Sequence, residues 1–513
     1  MLTGDILLQS ARRHPNKTAL ICGDRQVTYA ELAKIANRFA HAVISLGITQ
    51  ADTVAIMSSN LPEYVMTHFG CAQTGAILCN LMTAYAPDEM VTVLAQTGAK
   101  LIVIEDTLQA KLTEVIHQLP TLEHIVVIGA PAIEGSISFD EFVADQPYTA
   151  PAKHLSDTDA VAMTFTGGTT GKPKGTLVSH QSRFVSVYTV AIEQEVTEDD
   201  VVGLITPLYH AMGSLVWMPA ALFVGTTCVL LKGWSTDSFV LETQRHSITN
   251  VMMVPVQLSE LLNDANFDRE KLNSLRMVTC AGAITSPELI KKVGEKLPDA
   301  SFIDHYGQSE TGPICFYKQS HPREKAKTVG RPALGVELSL LDPQGNSVPL
   351  GETGEIVVRG PFLMEGYYNN PEETDQYFKN NDGWAWTGDL AIMDEDGFIT
   401  LAGRSKDMIV SGGINIYPRE VEIVLENHPD ISECTVFGIP DEKWGEALAA
   451  LVVPKNNTQL SEEDLVSHCE ARLARFKRPK FISFTQNLPK TPAGKVQKPL
   501  LRDLFIREYD LTG

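Results

Sequence analysis

Short apolar runs alternate with helical periodicity along the first two thirds of the chain. Runs at residues 53–57, 101–104 and 124–128 suit buried strands. Between them lie helical patterns, one of which begins at Thr28 with a capping box that ends at Glu31. Strands that alternate with helices are typical of a largely parallel sheet covered by helices. We therefore predict an α/β fold for this part of the chain.

The pattern changes twice further along. Residues 337–401 contain short alternating segments separated by Pro, Gly and Asp-Gly turns, which predict a small antiparallel, barrel-like part with a hairpin around Asp396-Gly397. After Gly403 the chain mixes helical and strand patterns over a length that fits a small α+β domain. We predict a large N-terminal domain at residues 1–403 and a small C-terminal domain at residues 404–513.

Composition narrows the function classes. A net charge of −21 argues against a nucleic-acid partner, but leaves room for a nucleotide or coenzyme A in a local basic pocket. The N-terminus has no signal-peptide pattern, and no apolar run reaches the roughly 20 residues of an integral membrane segment. The eight cysteines include no C-x-x-C pair, which indicates reduced, buried thiols and a cytoplasmic location.

A glycine-rich segment at residues 164–175 follows a strand-like run and is the sharpest chemical signal. Glycines let peptide N–H groups approach an anion, while threonine hydroxyls and two lysines add donors and positive charge. This is the chemistry of a phosphate cradle. The segment is not a Walker loop, because Thr166 occupies the first glycine position and Pro173 follows Lys172. The alternative interpretation is a surface hairpin tip.

The segment resembles the phosphate loop of the adenylate-forming superfamily, which includes acyl-CoA and aryl-CoA ligases, adenylation domains and luciferases. The family usually has serine where this chain has Gly167, and backbone N–H groups can do much of the cradling. The resemblance implies ATP binding by Thr166, Gly167, Gly168, Thr169, Thr170, Gly171, Lys172 and Lys174.

A second motif, Y-G-Q-S-E-T at residues 306–311, matches the Tyr-Gly-x-Thr-Glu segment of that superfamily, with Ser309 in place of threonine. By resemblance, Tyr306 stacks on adenine and Ser309 contacts phosphate. Magnesium prefers oxygen ligands, and the resemblance assigns it to Glu310 and Thr166. Gly307 and Gln308 belong to the same predicted nucleotide site. An ordinary turn with a solvated glutamate is the alternative.

Further motifs follow in the order of the family. Asp389, in Thr-Gly-Asp, is expected to accept hydrogen bonds from the ribose hydroxyls, and Arg404 to contact the nucleotide. Lys406 occupies the family's hinge position, about which the small domain would move. Lys495 lies in a motif that resembles the one carrying the adenylation lysine, which stabilises charge on the reacting oxygens. Each residue in isolation would be interpreted as a solvated charge.

Less specific features concern the acid and the thiol. His210 follows Pro-Leu-Tyr in a segment that gates the acyl site in relatives, with a buried, satisfied histidine as the alternative. The predicted pocket for the acid is lined by His210, Trp217, Gly282 and Ala283. Gly412 and Gly413 would line a pantetheine tunnel. A basic run could hold coenzyme A phosphates or be a solvated helix face; it comprises Arg475, Lys477, Arg478 and Lys480.

These motifs predict an ATP-dependent acyl-CoA synthetase with Lys495, Glu310 and His210 as catalytic residues. Its substrates would be ATP, coenzyme A and a small carboxylic acid with an apolar aliphatic or aromatic tail, and Mg²⁺ its metal. Three alternatives stay open: an adenylating enzyme that loads a carrier protein, one that carries out a luciferase-type oxidation, and a nucleotide-binding regulatory protein without catalysis. The sequence leaves the oligomeric state open, a homodimer included.

Overall fold

A computed structural model describes the chain except for residues 153, 167–172, 380–381, 412–413, 442, 456–457, 459, 471, 491–495 and 510–513. Its α-helices are α1 (Thr3–Arg13), α2 (Tyr29–Ser45), α3 (Pro62–Cys71), α4 (Pro87–Thr97), α5 (Gln109–Val115), α6 (Phe139–Ala144), α7 (His180–Glu193), α8 (Met218–Val224), α9 (Thr236–His246), α10 (Pro255–Asn263), α11 (Pro287–Lys296), α12 (Pro371–Tyr377), α13 (Pro418–Glu426), α14 (Glu462–Glu470) and α15 (Lys498–Glu508).

The strands of the first half of the fold are β1 (Thr18–Cys22), β2 (Arg25–Thr28), β3 (Thr53–Met57), β4 (Ile77–Asn80), β5 (Leu101–Glu105), β6 (His124–Ile128), β7 (Ile137–Ser138), β8 (Ala160–Thr166), β9 (Lys174–Ser179), β10 (Val201–Leu204), β11 (Thr227–Leu230), β12 (Asn250–Met253) and β13 (Met277–Ala281). Those of the second half are β14 (Ser301–Gln308), β15 (Gly312–Lys318), β16 (Arg331–Pro332), β17 (Glu337–Leu341), β18 (Thr353–Arg359), β19 (Gly366–Tyr367), β20 (Ala385–Met393), β21 (Ile399–Arg404), β22 (Ile409–Ser411), β23 (Ile414–Ile416), β24 (Ile431–Asp441), β25 (Gly445–Pro454) and β26 (Phe481–Phe484).

Contacts divide the described chain into two compact units. The first contains residues 1–337 and 359–385, and the second contains residues 338–358 and 386–513. This division places the small sheet built from residues 337–404 with the C-terminal region, whereas the boundary after Gly403 groups that sheet with the N-terminal domain. The predicted boundary concerns which parts move together, and it stays a prediction.

Two large sheets form the first unit. One has the order β16-β15-β14-β13-β12-β10-β11-β1-β2, and the other β19-β9-β8-β4-β3-β5-β6-β7. The inner strand pairs are parallel, for example β3 with β5 and β12 with β13. Antiparallel strands are added at the edges, as β9 on β8 and β15 on β14. The expected α/β class is confirmed.

Helices cover these sheets through apolar faces. Phe239 of α9 and Leu258 of α10 pack with Val251 and Phe302 of the nine-stranded sheet. In the eight-stranded sheet, Ile102 belongs to the equivalent cluster, together with helix residues such as Met90. Burying each such side chain contributes about 1.5–3 kcal/mol. These two cores fix the strand ends on which the predicted nucleotide motifs lie.

Local signals explain where α2 begins and ends. The Thr28 side chain accepts a hydrogen bond from the Glu31 N–H, and the Glu31 carboxylate accepts one from the Thr28 N–H, so the predicted capping box is confirmed. After the helix, Gly47 adopts φ +75, a left-handed conformation that costs glycine little.

The second unit contains two smaller sheets. A four-stranded sheet has the order β17-β18-β20-β21, and its β20–β21 pair is the antiparallel hairpin predicted around Asp396-Gly397. A five-stranded sheet has the order β23-β22-β25-β24, with β26 beside β25. Helices α13 and α14 contribute Val421 and Leu465 to its core, next to Val436 of β24. The predicted small α+β part is confirmed as a mixed α/β fold.

One part of the predicted antiparallel region lies elsewhere. Residues 359–385 belong to the first unit, where β19 pairs with β9 at the edge of the eight-stranded sheet. The sequence does not reveal this, because β19 is two residues long and its partner strand is nearly two hundred residues away. None of the described helices is both long and apolar enough to cross a membrane. All eight cysteines are free thiols, and all but Cys22 are buried.

Candidate active site

The glycine-rich segment connects two paired strands. Thr166 ends β8 and lies opposite Lys174, which begins the antiparallel strand β9. A hairpin connection therefore carries the predicted phosphate cradle. Six of the predicted phosphate contacts lie outside the described residues; they are Gly167, Gly168, Thr169, Thr170, Gly171 and Lys172.

Lys174 has neighbours that the sequence did not predict. Its amine lies 2.5 Å from Glu373 Oε2 of α12 and 5.4 Å from the centre of the Tyr367 ring. The lysine side chain is only 11% exposed, so this ion pair is shielded from bulk water on most sides. The structure thus gives Lys174 a carboxylate partner, and its contact with phosphate stays a prediction.

The second nucleotide motif lies where β14 ends. Tyr306 and Gly307 pair with β15 across a bulge, and Tyr306 is half-buried. A side chain at Gly307 would place its Cβ 2.1 Å from the Gly312 carbonyl oxygen. Only glycine therefore fits this position, where it lets β15 approach β14 closely at the bulge beside the predicted adenine-stacking residue.

Glu310 is held by its main chain and by its side chain. Its carbonyl oxygen accepts a 2.8 Å hydrogen bond from the Met364 N–H. Its carboxylate oxygen Oε1 accepts a 2.9 Å hydrogen bond from the Tyr367 hydroxyl. The residue is half-buried. Both contacts come from residues 359–385, a segment in which no sequence motif points to the site.

The neighbouring Gln308 has a similar support. Its side-chain oxygen Oε1 accepts a 3.3 Å hydrogen bond from the hydroxyl of Tyr377, at the end of α12. The Tyr377 ring contacts the Tyr367 ring edge-to-face, with 6.0 Å between the ring centres. Sequence signals did mark the start of α12, since Asn370 caps it and Pro371 follows, but nothing indicated which residues the helix would contact.

The oxygen donors present suit Mg²⁺ only if substrate phosphates complete its coordination. No group of three or more His, Cys, Asp or Glu side chains suited to a metal occurs among the described residues. Glu310 offers one half-buried carboxylate, and Mg²⁺ is usually held by one or two carboxylates together with substrate phosphates. The donor set is therefore compatible with a metal that arrives with ATP. No side-chain geometry is described for Thr166, the second predicted ligand.

Asp389 and Arg404 face each other across the β20–β21 hairpin. Their main chains are paired, and Arg404 Nε lies 2.7 Å from Asp389 Oδ1. The Asp389 side chain is 9% exposed, against 41% for Arg404. Gly388, before Asp389, adopts φ +71, and its N–H donates to Glu355 Oε1. The two predicted nucleotide contacts are thus brought together in the second unit.

The remaining predicted residues of the second unit are less defined. Lys406 lies exposed in a 3₁₀ turn, Ser405–Asp407, directly after β21. Gly412, Gly413 and Lys495 lie outside the described residues. The described residues on both sides of Lys495 pair with each other, because Lys490 and Val496 form an antiparallel bridge.

The basic run is not an α-helix face. Arg475 and Lys477 lie in a 3₁₀ turn, Arg475–Lys477. Lys477 pairs with Glu420, and Arg478 lies 2.9 Å from Glu470. The Lys480 amine lies 2.6 Å from Asp441. Three of the four cations therefore have carboxylate partners within the second unit.

His210 precedes an irregular helix. Its carbonyl accepts hydrogen bonds from the Gly213 and Ser214 N–H groups, and its ring lies 4.7 Å from the Tyr209 ring. The residue is half-buried, and its role at the acid site stays a prediction. Residues Met212–Trp217 form a π-helix, a distortion that is frequent at functional sites. Its last residue, Trp217, is fully buried, and its indole N–H has no hydrogen-bond partner among the described residues.

Gly282 and Ala283 lie in an exposed turn after β13. Gly282 adopts φ +85, so a side chain there would strain the backbone, although a Cβ would meet Val254 at an ordinary 3.5 Å. The same turn leads to Thr285, whose hydroxyl donates a 2.7 Å hydrogen bond to the buried Asp304. Burial raises the pKa of Asp304 to about 7, against the lowering effect of that hydrogen bond. The predicted pocket wall is thus tied to β14, two residues before Tyr306.

Two family models and several known proteins match this chain. A family model described as AMP-binding enzyme matches residues 7–368, and one described as AMP-binding enzyme C-terminal domain matches residues 420–495. An indoleacetate–CoA ligase of Aromatoleum aromaticum is 34% identical, with 96% of both chains covered. A medium/long-chain-fatty-acid–CoA ligase of Mycobacterium tuberculosis is also 34% identical, with 98% of this chain and 90% of that chain covered.

A solved structure extends this likeness to three dimensions. The anthranilate CoA ligase AuaEII in complex with anthranoyl-AMP matches with a TM-score of 0.89 and 29% identity, over 98% of this chain and 97% of that chain. The fold and the two family models agree with the superfamily that the motifs resemble. The chain belongs to the AMP-binding enzyme family, in the adenylate-forming superfamily, and is an acid–thiol ligase.

Proposed function

We propose that this chain is an ATP-dependent acyl-CoA synthetase, which converts a carboxylic acid, ATP and coenzyme A into acyl-CoA, AMP and pyrophosphate. The observation that carries the proposal is the match of both family models, since one covers Glu310 and the glycine-rich segment and the other ends on Lys495. A chain with both regions has the groups for activating an acid and for stabilising the charge that develops.

In the first half-reaction, a carboxylate oxygen of the acid attacks the α-phosphorus of ATP. The bond from that phosphorus to the bridging oxygen breaks, and pyrophosphate leaves with the electron pair. Lys495 would stabilise the negative charge on the reacting oxygens, and backbone N–H groups of residues 167–172 would bind the phosphates. Glu310 and Thr166 would hold Mg²⁺, which neutralises phosphate charge when bound.

In the second half-reaction, the coenzyme A sulfur attacks the carbonyl carbon of the acyl-adenylate and loses its proton. The bond from that carbon to the phosphate oxygen breaks, so AMP leaves. We propose Lys406 as the point where the backbone rotates between the two half-reactions. The Gly412–Gly413 pair would leave room for the pantetheine arm, because glycine carries no side chain.

The acid is proposed to carry an apolar aliphatic or aromatic tail. Of the four residues predicted to line the acid pocket, Trp217 is apolar and buried, and Gly282 and Ala283 form an exposed turn without polar side chains. One relative is named for an arylacetate and another for medium- and long-chain fatty acids, which supports an apolar tail without ranking the two. Seven of the cysteines are buried free thiols, which fit a protein in a reducing compartment. We propose that this compartment is the cytoplasm.

An acid panel tests the proposed function. The purified protein is incubated with Mg·ATP and short, medium, long-chain and aryl acids, and acid-dependent ATP–pyrophosphate exchange is measured without coenzyme A. Acyl-CoA is then measured by mass spectrometry after coenzyme A is added. Exchange with at least one apolar acid, followed by acyl-CoA formation, is the expected result. Exchange without any thioester would exclude coenzyme A as the acceptor, and no exchange with any acid would contradict the proposed reaction.

A further inference from the structure

Tyr367 lies between two groups of the predicted ATP site. It is the second residue of β19, where it pairs with Thr176 of β9, two residues after Lys174. Side chains two residues apart on a strand share one face of the sheet, so Lys174 and Tyr367 point to the same side as diagonal neighbours. The Tyr367 ring can therefore contact Lys174 while its hydroxyl reaches Glu310.

The hydroxyl of Tyr367 fixes the Glu310 carboxylate. It donates a 2.9 Å hydrogen bond to Oε1, and three residues earlier the Met364 N–H donates to the Glu310 carbonyl. One short segment therefore restrains both the main chain and the side chain of Glu310. A carboxylate restrained in this way loses less rotational freedom when it binds a cation.

The ring of Tyr367 supports Lys174. The lysine amine lies 5.4 Å from the ring centre, within the range of a cation–π contact, and 2.5 Å from Glu373. Tyr367 is itself fixed, because its N–H donates a 2.9 Å hydrogen bond to the hydroxyl of Thr374 on α12. The same residue thus touches the predicted metal ligand with its hydroxyl and the predicted phosphate ligand with its ring.

We propose that Tyr367 is a positioning residue for ATP binding, with two separable parts. The hydroxyl aims the Glu310 carboxylate at the metal that accompanies ATP, and the ring keeps Lys174 in place beside the glycine-rich segment. The proposal rests on the proposed function, in which Glu310 and Lys174 contact Mg·ATP. A purely structural role is the alternative, in which the ring only packs against Tyr377.

Two substitutions separate the two parts. Tyr367→Phe removes the hydroxyl and keeps the ring, whereas Tyr367→Leu removes both. The matched control is Tyr368→Phe, which deletes the hydroxyl of the next tyrosine. Tyr368 packs against the core of the eight-stranded sheet, and its hydroxyl makes no hydrogen bond within the described part of the chain.

The readout is ATP affinity with and without metal, measured by calorimetry in the absence of acid. The ratio of the Kd in EDTA to the Kd in saturating Mg²⁺ reports how much the metal contributes. We expect Tyr367→Phe to lower this ratio about three- to tenfold, the scale of one lost hydrogen bond, and to leave the Kd in EDTA unchanged. Tyr367→Leu should lower the ratio equally and also raise the Kd in EDTA. Tyr368→Phe should match the wild type.

Each outcome is decisive. A wild-type ratio in Tyr367→Phe would overturn the proposal, including the case in which the variant only loses thermal stability. Equal weakening of ATP binding with and without metal in Tyr367→Phe would also overturn it, because the hydroxyl would then not act through the metal. Failure of the proposed function looks different: the wild type itself would bind ATP or a metal without any acid-dependent pyrophosphate exchange.

Discussion

The predicted active-site residues of the two units are held in place by different means. In the first unit, Glu310 is fixed by Tyr367, which lies 57 positions further along the chain. In the second unit, Asp389 and Arg404 fix each other across a single hairpin. The first arrangement depends on a distant segment that adds a strand to a sheet edge. The second depends on one turn.

The difference has consequences for how each unit responds to change. Glu310 and Lys174 share the support of Tyr367, so damage to that segment should affect metal and phosphate contacts together. The ion pairs of the second unit are mostly separate from one another and differ in burial. Their contributions should therefore be individually measurable, because distant and independent sites are close to additive.

The largest effect is expected from Lys495→Ala, which should slow adenylation about 10²–10³-fold. The reason is that one charge-stabilising donor is lost from the transition state of the first half-reaction. Thioester formation from supplied acyl-adenylate should change much less. Acid-dependent pyrophosphate exchange and single-turnover thioester formation measure the two steps.

The control for Lys495 is Lys490→Ala in the same motif. Lys490 pairs with Glu433 at an exposed position, and an exposed pair of this kind contributes little. This variant should keep both half-reactions. Equal slowing of both steps in Lys495→Ala would contradict a role of Lys495 in adenylation alone.

The sequence predicted most of what local chemistry decides. The capping box at Thr28, the strands at residues 53–57 and 124–128 and the hairpin around Asp396-Gly397 each depend on neighbours within a few positions. Asp389 and Arg404 could be placed together for the same reason, since a hairpin pairs its two strands directly.

Contacts between distant segments could not be read in this way. Tyr367, Glu373 and Tyr377 lie in a stretch with ordinary turn and helix-start signals, and their contacts arise only once β19 has joined β9. The π-helix at Met212–Trp217 likewise has no periodic signal of its own. In both cases packing decides the conformation, and one sequence does not show which segments will meet.

The next largest effect is expected from Asp389→Asn. A carboxylate that accepts hydrogen bonds from ribose contributes about 1.5–3 kcal/mol through them, so the Kd for ATP should rise about 10- to 100-fold. Asp396→Asn, in the exposed turn of the same hairpin, is the matched control and should bind ATP as the wild type does. Calorimetric titration with Mg·ATP measures both. Unchanged affinity in Asp389→Asn would leave the hairpin pair with a structural role only.

A smaller effect is expected from Lys498→Met, which tests a largely buried ion pair of the second unit. The Lys498 amine lies 2.7 Å from Glu422 Oε1, and the Glu422 side chain is 9% exposed. Removing the amine should lower the free energy of unfolding by about 1–2 kcal/mol. The loss is limited because Arg419, 3.7 Å from the other carboxylate oxygen, still compensates the charge of Glu422. Urea unfolding measures the free energy, with Lys490→Met expected within about 0.5 kcal/mol of the wild type. If Lys498→Met and Lys490→Met lowered the free energy of unfolding equally, burial would not decide how much these ion pairs contribute.

Buried titratable groups distinguish the first unit in another way. Burial lowers the pKa of His68, His180 and His305 to about 4, and it raises the pKa of Asp304 to about 7. The histidines bind protons more weakly in the folded state, so their contribution to stability is lost as the pH falls from about 6.5 to about 4. Asp304 binds its proton more tightly in the folded state, so its contribution is lost as the pH rises from about 4 through about 7.

The smallest effect is the change that Asp304→Asn makes to this pH dependence. Asparagine keeps an oxygen that accepts the hydrogen bond of the Thr285 hydroxyl, and it cannot ionise. The loss of stability that Asp304 causes as the pH rises therefore disappears, and the free energy of unfolding should rise more steeply between pH 5 and pH 7. The titration of one group changes the slope of the unfolding free energy against pH by at most about 1.4 kcal/mol per pH unit. Urea unfolding at pH 5, 6, 7 and 8 measures it. The stability of the variant relative to the wild type should grow up to about pH 7 and then become constant, since above its folded-state pKa the wild-type carboxyl is ionised in both the folded and the unfolded protein. A difference independent of pH would show that Asp304 does not titrate in this range and that burial is relieved there by water.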